Sequence, residues 1–190
     1  MFDPAHPYGN RDSRLKNSIY MPNAGQEWKY LNACETDQNK SNIYKGTFAG
    51  IVTGYSTISD QDIPILQFAD VLLMYAEAQN EATGPTADAY SAINAVRKRS
   101  GQPDLPAGLS QDQFRQRLRN ERRVELALEG QRYFDLKWWK IEHIVLPQIT
   151  NSGGTKRNFL PKHYYFPIPQ SEVDILKNTQ GIDIQNPNYK

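Results

Sequence analysis

The sequence predicts a mainly α-helical protein built from antiparallel helix pairs with long irregular loops. Apolar residues follow helical spacing from Pro64 onward, and a second periodic segment begins after Thr86. Gly84 and Pro85 interrupt the pattern between these segments. Two helices joined by so short a turn lie antiparallel, and such a pair cannot bury both apolar faces by itself. We therefore expect further helices to pack against this pair.

The first two predicted helices have clear boundaries. The second begins with Thr86 as N-cap and Asp88 in its first turn, and it stops before Gly101 with Arg97, Lys98 and Arg99 at its basic end. The pair resembles a tetratricopeptide-type unit. The apolar positions that carry the two periods are Ile65, Leu66, Phe68, Ala69, Leu72, Leu73 and Ala76, then Ala89, Ile93 and Val96.

A third helix is predicted from the capping-box residues Ser110 and Gln113 through Leu128, with Gly130 ending or bending it. An aromatic cluster follows and predicts a short helix or turn packed on the preceding helices. We assign both tryptophans of this cluster to the core. Its apolar members are Tyr133, Phe134, Leu136, Trp138 and Trp139.

The domain organisation that we expect is a single domain over residues 1–190. Residues 1–61 are rich in polar residues and glycine and predict a loop-rich segment. The predicted helical body covers residues 62–140. Residues 141–190 are expected to form an irregular segment that packs on it, because the prolines at 167 and 169 favour extended backbone before them.

Composition and motifs exclude several functions. A net charge of +1 gives no field that would attract nucleic acid, and no apolar run approaches the roughly 20 residues that span a bilayer. The single cysteine, Cys34, ends a segment similar to a lipoprotein cleavage box, but the preceding residues are polar. The sequence has no zinc, phosphate-loop or nucleophile-elbow motif. We expect no metal and no cofactor.

The densest charged motif lies at residues 120–138 and has two interpretations. Glu121, Glu125 and Glu129 share one helical face, which fits poorly with two carboxylates on opposite sides of a glycosidic bond. We favour a structural ion-pair network, in which arginines neutralise the carboxylates and fix how this helix meets the aromatic segment. The expected members are Glu121, Arg122, Arg123, Glu125, Glu129, Arg132 and Asp135.

Aromatic residues in the loop-rich segment are the candidate ligand-binding residues. Aromatic faces can stack on sugar rings while amides bond to the hydroxyls, and the alternative is that these side chains only pack the loop on the helices. Trp28 is the strongest candidate because its face is the largest. The predicted binding residues are Trp28, Tyr30, Tyr20, Tyr44 and Asn32.

Several ordered strings resemble the SusD/RagB family. Residues 10–15 match a family turn in which Ser13 replaces the usual proline, and residues 63–81 match a family helix in which Gln67 replaces the usual arginine. The remaining matches follow in the family's order. They are residues 92–101, 121–138, 165–169 and 185–189, with Asn188 in a common glycine position.

The resemblance implies an α-helical, tetratricopeptide-containing scaffold without catalytic activity. Members are surface-exposed, lipid-anchored outer-membrane proteins that capture oligosaccharides or other nutrients and pair with SusC-type TonB-dependent transporters. They are usually longer, so this chain resembles their C-terminal part. Two alternatives remain: a tetratricopeptide-like protein-interaction module that docks on the transporter without binding sugar, and a glycoside hydrolase using Glu121 and Glu129 or a loop aspartate.

Overall fold

The structure is a computed structural model that describes residues 11–20, 42–43, 65–151 and 154–189. The chain divides into two compact units, Met1–Gln131 and Arg132–Lys190. Helices dominate the described ranges, so the predicted mainly α-helical class is confirmed. The expectation of one domain over the whole chain stays a prediction.

The first unit begins with a short helix and a small antiparallel sheet. Helix α1 covers Leu15–Ser18, strand β1 covers Ile19–Tyr20, and strand β2 covers Asn42–Ile43. The backbone of Tyr20 lies opposite that of Asn42. Residues 21–41 therefore connect, in sequence, the two strands of this ladder.

Helices α2 and α3 form the predicted antiparallel pair. Helix α2 covers Phe68–Thr83, three residues shorter at its start than the sequence pattern suggested, because Gln67 has an extended backbone. Helix α3 covers Ala87–Arg99, and the side chain of Thr86 accepts a hydrogen bond from the backbone N–H of Ala89 at 3.3 Å. The predicted start and end of α3 are confirmed.

Helix α4 covers Gln111–Glu125 and begins with the predicted capping box. The Gln113 N–H donates to Ser110 Oγ at 3.3 Å, and the Ser110 N–H donates to Gln113 Oε1 at 2.9 Å. The helix ends before the predicted Leu128, which has a φ of 67°. This left-handed backbone cannot continue a right-handed helix, so the predicted end was wrong by three residues.

The core of the first unit lies between α2, α3 and α4. Phe114 is its largest fully buried side chain, and the Tyr90 ring meets it edge-on at 5.0 Å between centroids. The buried cluster consists of Leu73, Ala76, Ala89, Ala92, Ile93, Val96, Leu105, Phe114 and Leu118. A third helix thus covers the pair that could not bury both faces alone.

The second unit contains shorter elements. Helix α5 covers Gln131–Trp139 and begins at the boundary between the units, α6 covers Glu142–Val145, and α7 covers Gln170–Gln180. Three single-turn 3₁₀ segments accompany them, at Leu146–Gln148, Pro161–Tyr164 and Pro187–Tyr189.

Helix α7 was missed in the segment that we expected to be irregular. It has little apolar signal because Val173 is its only buried residue. Its end is nevertheless marked in the sequence by Gly181, which has a φ of 70° and donates its N–H to the carbonyl of Lys177 at 3.0 Å.

Candidate functional site

The predicted ligand-binding residues fall largely outside the described part of the chain. Trp28, Tyr30, Asn32 and Tyr44 lie outside it, and Tyr20 is described by its backbone alone. Tyr20 is paired with Asn42, so the ladder joins the two ends of the sequence that contains Trp28, Tyr30 and Asn32. Their role in binding stays a prediction.

Two buried carboxylates of α4 form the centre of an ion-pair network. Glu121 and Glu125 are 3% and 4% exposed. Arg14 Nη1 bridges them, at 2.7 Å from Glu121 Oε1 and 2.8 Å from Glu125 Oε2. The second oxygen of each is also paired: Arg97 Nη1 lies 2.6 Å from Glu121 Oε2, and Arg99 bonds to Glu125 Oε1. These three arginines come from outside the helix that contains the carboxylates.

Arg14 is itself held by the turn that precedes α1. Its Nε and Nη2 bond to Asp12 at 2.9 and 2.6 Å, and Ser13 Oγ donates to the Ser100 carbonyl at 2.6 Å. The hydrogen bond from Arg14 lowers the pKa of Asp12. Burial alone would lower the pKa of Arg14, but its bonds to three carboxylates outweigh that effect and raise it. Both groups are therefore charged.

The other predicted network members have different surroundings. Arg122 Nη1 pairs with Asp70 of α2 at 2.7 Å, and both side chains are buried. Gln67 donates to Glu129 Oε2 at 2.6 Å, so the amide bonds a carboxylate where the family usually has an arginine. Arg123 is exposed. That Arg123, Arg132 and Asp135 belong to one network with the buried pairs stays a prediction.

The geometry of Glu121 argues against the hydrolase alternative. A general acid or base must reach the substrate and exchange a proton with it. Glu121 is buried, and both of its oxygens accept hydrogen bonds from arginines, so neither oxygen is free to reach a substrate. Glu121 is thus a structural anchor of α4.

The second unit presents several exposed aromatic side chains, which together we call the aromatic surface. Tyr133 meets Phe134 edge-on at 5.4 Å and stacks on Phe166 at 6.2 Å. Trp138 is one helical turn from Phe134 and is 81% exposed, so its assignment to the core was wrong. Helical geometry explains this, because Trp138 lies opposite the buried Leu136 on α5. The members of the aromatic surface are Tyr133, Phe134, Trp138, Tyr165 and Phe166.

An open cavity of about 430 Å³ adjoins this surface and is lined by Lys137, Lys140, Tyr164 and Tyr165. Its volume falls in the range of roughly 300–1,000 Å³ that is usual for small-molecule sites. The ammonium of Lys137 lies 5.2 Å from the centre of the Tyr133 ring and 5.7 Å from that of Phe166. Lys137 therefore joins the cavity to the aromatic surface.

The cavity walls are fixed by contacts behind them. Lys137 Nζ donates to the carbonyls of His163 and Tyr164, each at 3.0 Å. The Tyr164 hydroxyl lies 3.0 Å from His143 Nδ1, and its ring meets Phe159 edge-on. Lys140 has a φ of 53°, which is uncommon for a residue with a side chain and costs about 1–3 kcal/mol.

Glu142 is a buried carboxylate behind this cavity. It is 4% exposed, and within the described ranges neither of its oxygens accepts a hydrogen bond. Its nearest charged partner there is Lys137, with Nζ 3.5 Å from Oε1. An unbonded buried carboxylate is costly, and the Lys137 charge partly offsets that cost.

The described residues provide neither a metal-binding group nor a membrane-spanning helix. Among the described residues, no group of three or more His, Cys, Asp or Glu side chains is placed to hold a metal ion. No helix in the described ranges has the length and apolar character needed to cross a membrane.

The helix pair and its covering third helix define a mainly helical, tetratricopeptide-like scaffold. The chain belongs to the SusD family, whose profile matches residues 3–189. A SusD-like protein of Formosa agariphila is 35% identical over 130 residues, which are 66% of this chain and 24% of that protein. The resemblance stated from the sequence is confirmed.

Solved structures have the same fold. A SusD-like protein of Bacteroides fragilis superposes with a TM-score of 0.73 and 25% identity, over 96% of this chain and 40% of that one. A SusD-like carbohydrate binding protein of the same species gives 0.68 and 28%, over 92% and 42%. The chain thus spans about a quarter of the curated relative and about two fifths of these structures.

Proposed function

We propose that this chain is part of a non-catalytic protein that binds oligosaccharide or another nutrient at the bacterial cell surface. The bound nutrient is delivered to a SusC-type TonB-dependent transporter, and the whole protein is lipid-anchored on the outer face of the outer membrane. Family membership supports this proposal, and a relative 28% identical to the chain is described as a carbohydrate binding protein.

The observation that carries the proposal is the aromatic surface of the second unit. Exposed rings offer flat apolar faces to the C–H faces of sugars, whereas folded proteins generally bury such side chains. Polar groups beside the rings, such as Lys140 and the Tyr164 hydroxyl, are placed to bond sugar hydroxyls. Trp28, Tyr30, Tyr20, Tyr44 and Asn32 remain the proposed binding residues of the first unit.

Calorimetry with a panel of oligosaccharides tests the proposal. Trp138→Ala should weaken binding about tenfold, because covering an exposed indole face with the C–H face of a sugar contributes on the order of 1–2 kcal/mol of apolar burial. Trp28→Ala tests the first unit in the same way. Trp139→Phe is the matched control, since Trp139 is half-buried and Phe keeps its apolar packing. If no member of the panel binds, the capture function is wrong.

One observation favours a second candidate, a protein-interaction module that docks on the transporter. Helix α2 buries Leu73 and Ala76 against the core, but its opposite face carries an exposed apolar stripe. Such a stripe on a tetratricopeptide-like helix is suited to another helix. The stripe consists of Phe68, Val71, Met74 and Tyr75.

Oligosaccharide binding, measured beside co-purification with a tagged SusC-type transporter, separates the two candidates. The interaction module predicts that Met74→Glu abolishes co-purification and that no oligosaccharide of the panel binds. The capture function predicts saturable oligosaccharide binding that Met74→Glu leaves unchanged. Glu77→Gln is the control on the same helix, because it alters charge without adding a carboxylate to the apolar stripe.

A further inference from the structure

The cavity beside the aromatic surface is lined by basic and aromatic side chains. Its four lining side chains offer two ammonium groups, two hydroxyls and two ring faces, and none of them is a carboxylate. Resting on the capture function proposed above, we infer that this cavity is a subsite for an acidic sugar, one that carries a carboxylate or a sulfate. Lys140 is the residue that selects the charged group.

The two lysines differ in how their charge is compensated. Lys137 donates to two carbonyls and faces Glu142 at 3.5 Å, so a buried negative charge already balances it. Lys140 is exposed, and no described residue accepts a bond from its ammonium. A ligand anion in the cavity therefore gains a new charge-assisted hydrogen bond from Lys140. The ammonium of Lys137 is already held by protein atoms and only lines the cavity.

Preorganisation supports a binding role for these walls. Lys137 and Tyr164 are each held by contacts outside the cavity, so ordering them costs little when a ligand enters. The left-handed backbone of Lys140 is a strained conformation, and such strain concentrates at ligand sites. Tyr165 leaves its ring exposed beside the cavity, where it can stack on the sugar.

The net charge of the second unit also favours an anionic ligand. Residues 132–190 contain eight lysines and arginines against five aspartates and glutamates, although the whole chain has a net charge of only +1. The positive excess attracts an anionic ligand to this unit, and the attraction weakens with salt.

The test uses the full 190-residue chain and calorimetry with matched trisaccharides. The charged probes are trigalacturonic acid and a sulfated galactotriose, and the neutral probes are the methyl ester of the first and unsulfated galactotriose. We expect at least one charged probe to bind about tenfold more tightly than its neutral counterpart at about 50 mM NaCl. The charged probe that binds more tightly then shows whether the subsite prefers a carboxylate or a sulfate.

Substitutions assign the effect to the cavity. Lys140→Gln should weaken the charged probe about tenfold and leave the neutral one within about twofold. It does not change the backbone strain, because both residues have a side chain. Lys177→Gln, on the exposed face of α7, is the control and should change neither affinity. Tyr165→Leu should weaken both probes, since it removes the stacking face.

The outcomes separate this inference from the capture function. If the neutral probes bind as tightly as the charged ones, or if Lys140→Gln weakens both equally, the acidic-sugar subsite is wrong and capture stands. If no oligosaccharide binds the chain at all, both are wrong. A circular-dichroism spectrum identical to that of the wild type shows that each variant is folded.

Discussion

Arg14→Ala is the substitution that most directly tests how the first unit is held together. It removes the guanidinium that bridges Glu121 and Glu125 and leaves both carboxylates buried with one arginine each, Arg97 and Arg99. Removing one partner of a buried ion pair costs about 3–5 kcal/mol. Because each carboxylate keeps a partner, we expect the free energy of unfolding to fall by about 3 kcal/mol.

The matched control is Arg115→Ala, which removes an arginine that bridges two carboxylates of its own. Arg115 bonds to Glu81 at 2.5 Å and to Asp112, but both carboxylates are exposed. Exposed pairs contribute about 0.2–1 kcal/mol, so this variant should lose less than 1 kcal/mol. Both are measured by urea unfolding followed by the helical circular-dichroism signal. An equal loss in the two variants would refute the argument from burial.

A double-mutant cycle refines the result. If Arg14 stabilises by neutralising Glu121, then Glu121→Gln should cost less in the Arg14→Ala background than in the wild type, because the neutral amide is easier to bury unpaired. Additive losses would show that Arg14 acts through other contacts.

Three further predictions concern capping, packing and pH. Thr86→Ala should lower the free energy of unfolding by about 1 kcal/mol in urea titrations, because the N-cap bond of α3 is lost. Phe114→Leu should cost about 1–2 kcal/mol in the same assay and lower the melting temperature, because it leaves a void in a fully buried site. The pKa of Asp12 is lowered by its bond to Arg14, so the stabilisation is present above the ordinary value of 3.8 and is lost as pH falls through the lower, folded-state pKa. The stability difference between the wild type and Asp12→Asn should therefore be constant above about pH 5 and shrink as the pH falls below about 4, and a difference that stays constant down to about pH 2 would contradict this.

Local chemistry explains which parts of the fold could be predicted. Thr86 and Ser110 mark helix starts because their side chains accept bonds from nearby backbone N–H groups, and both signals lie within four residues. The end of α4 depends instead on the left-handed backbone of Leu128, which no residue type announces. Helix α7 was missed because only Val173 is buried on it.

The candidate site was harder to predict because its contacts join distant residues. The glutamates of α4 were assigned to an ion-pair network from i,i+4 spacing, yet three of the arginines bonded to them lie elsewhere in the sequence. A basic residue in a turn gives no signal of its distant partner. Trp138 was misplaced because a large apolar side chain is usually buried, and spacing from Leu136 was the signal that could have corrected it.

The bridge from Arg14 to α4 also bears on the order in which the chain folds. Arg14 and Glu121 are 107 residues apart in the sequence, whereas α2, α3 and α4 meet through much shorter loops. Short loops close at a lower entropic cost, so the three helices should associate before the bridge forms. During synthesis at roughly 5–20 residues per second, Arg14 is made on the order of 5–20 seconds before Glu121. The neighbouring Asp12 is made before Arg14, so this local pair can form ahead of the bridge to the glutamates.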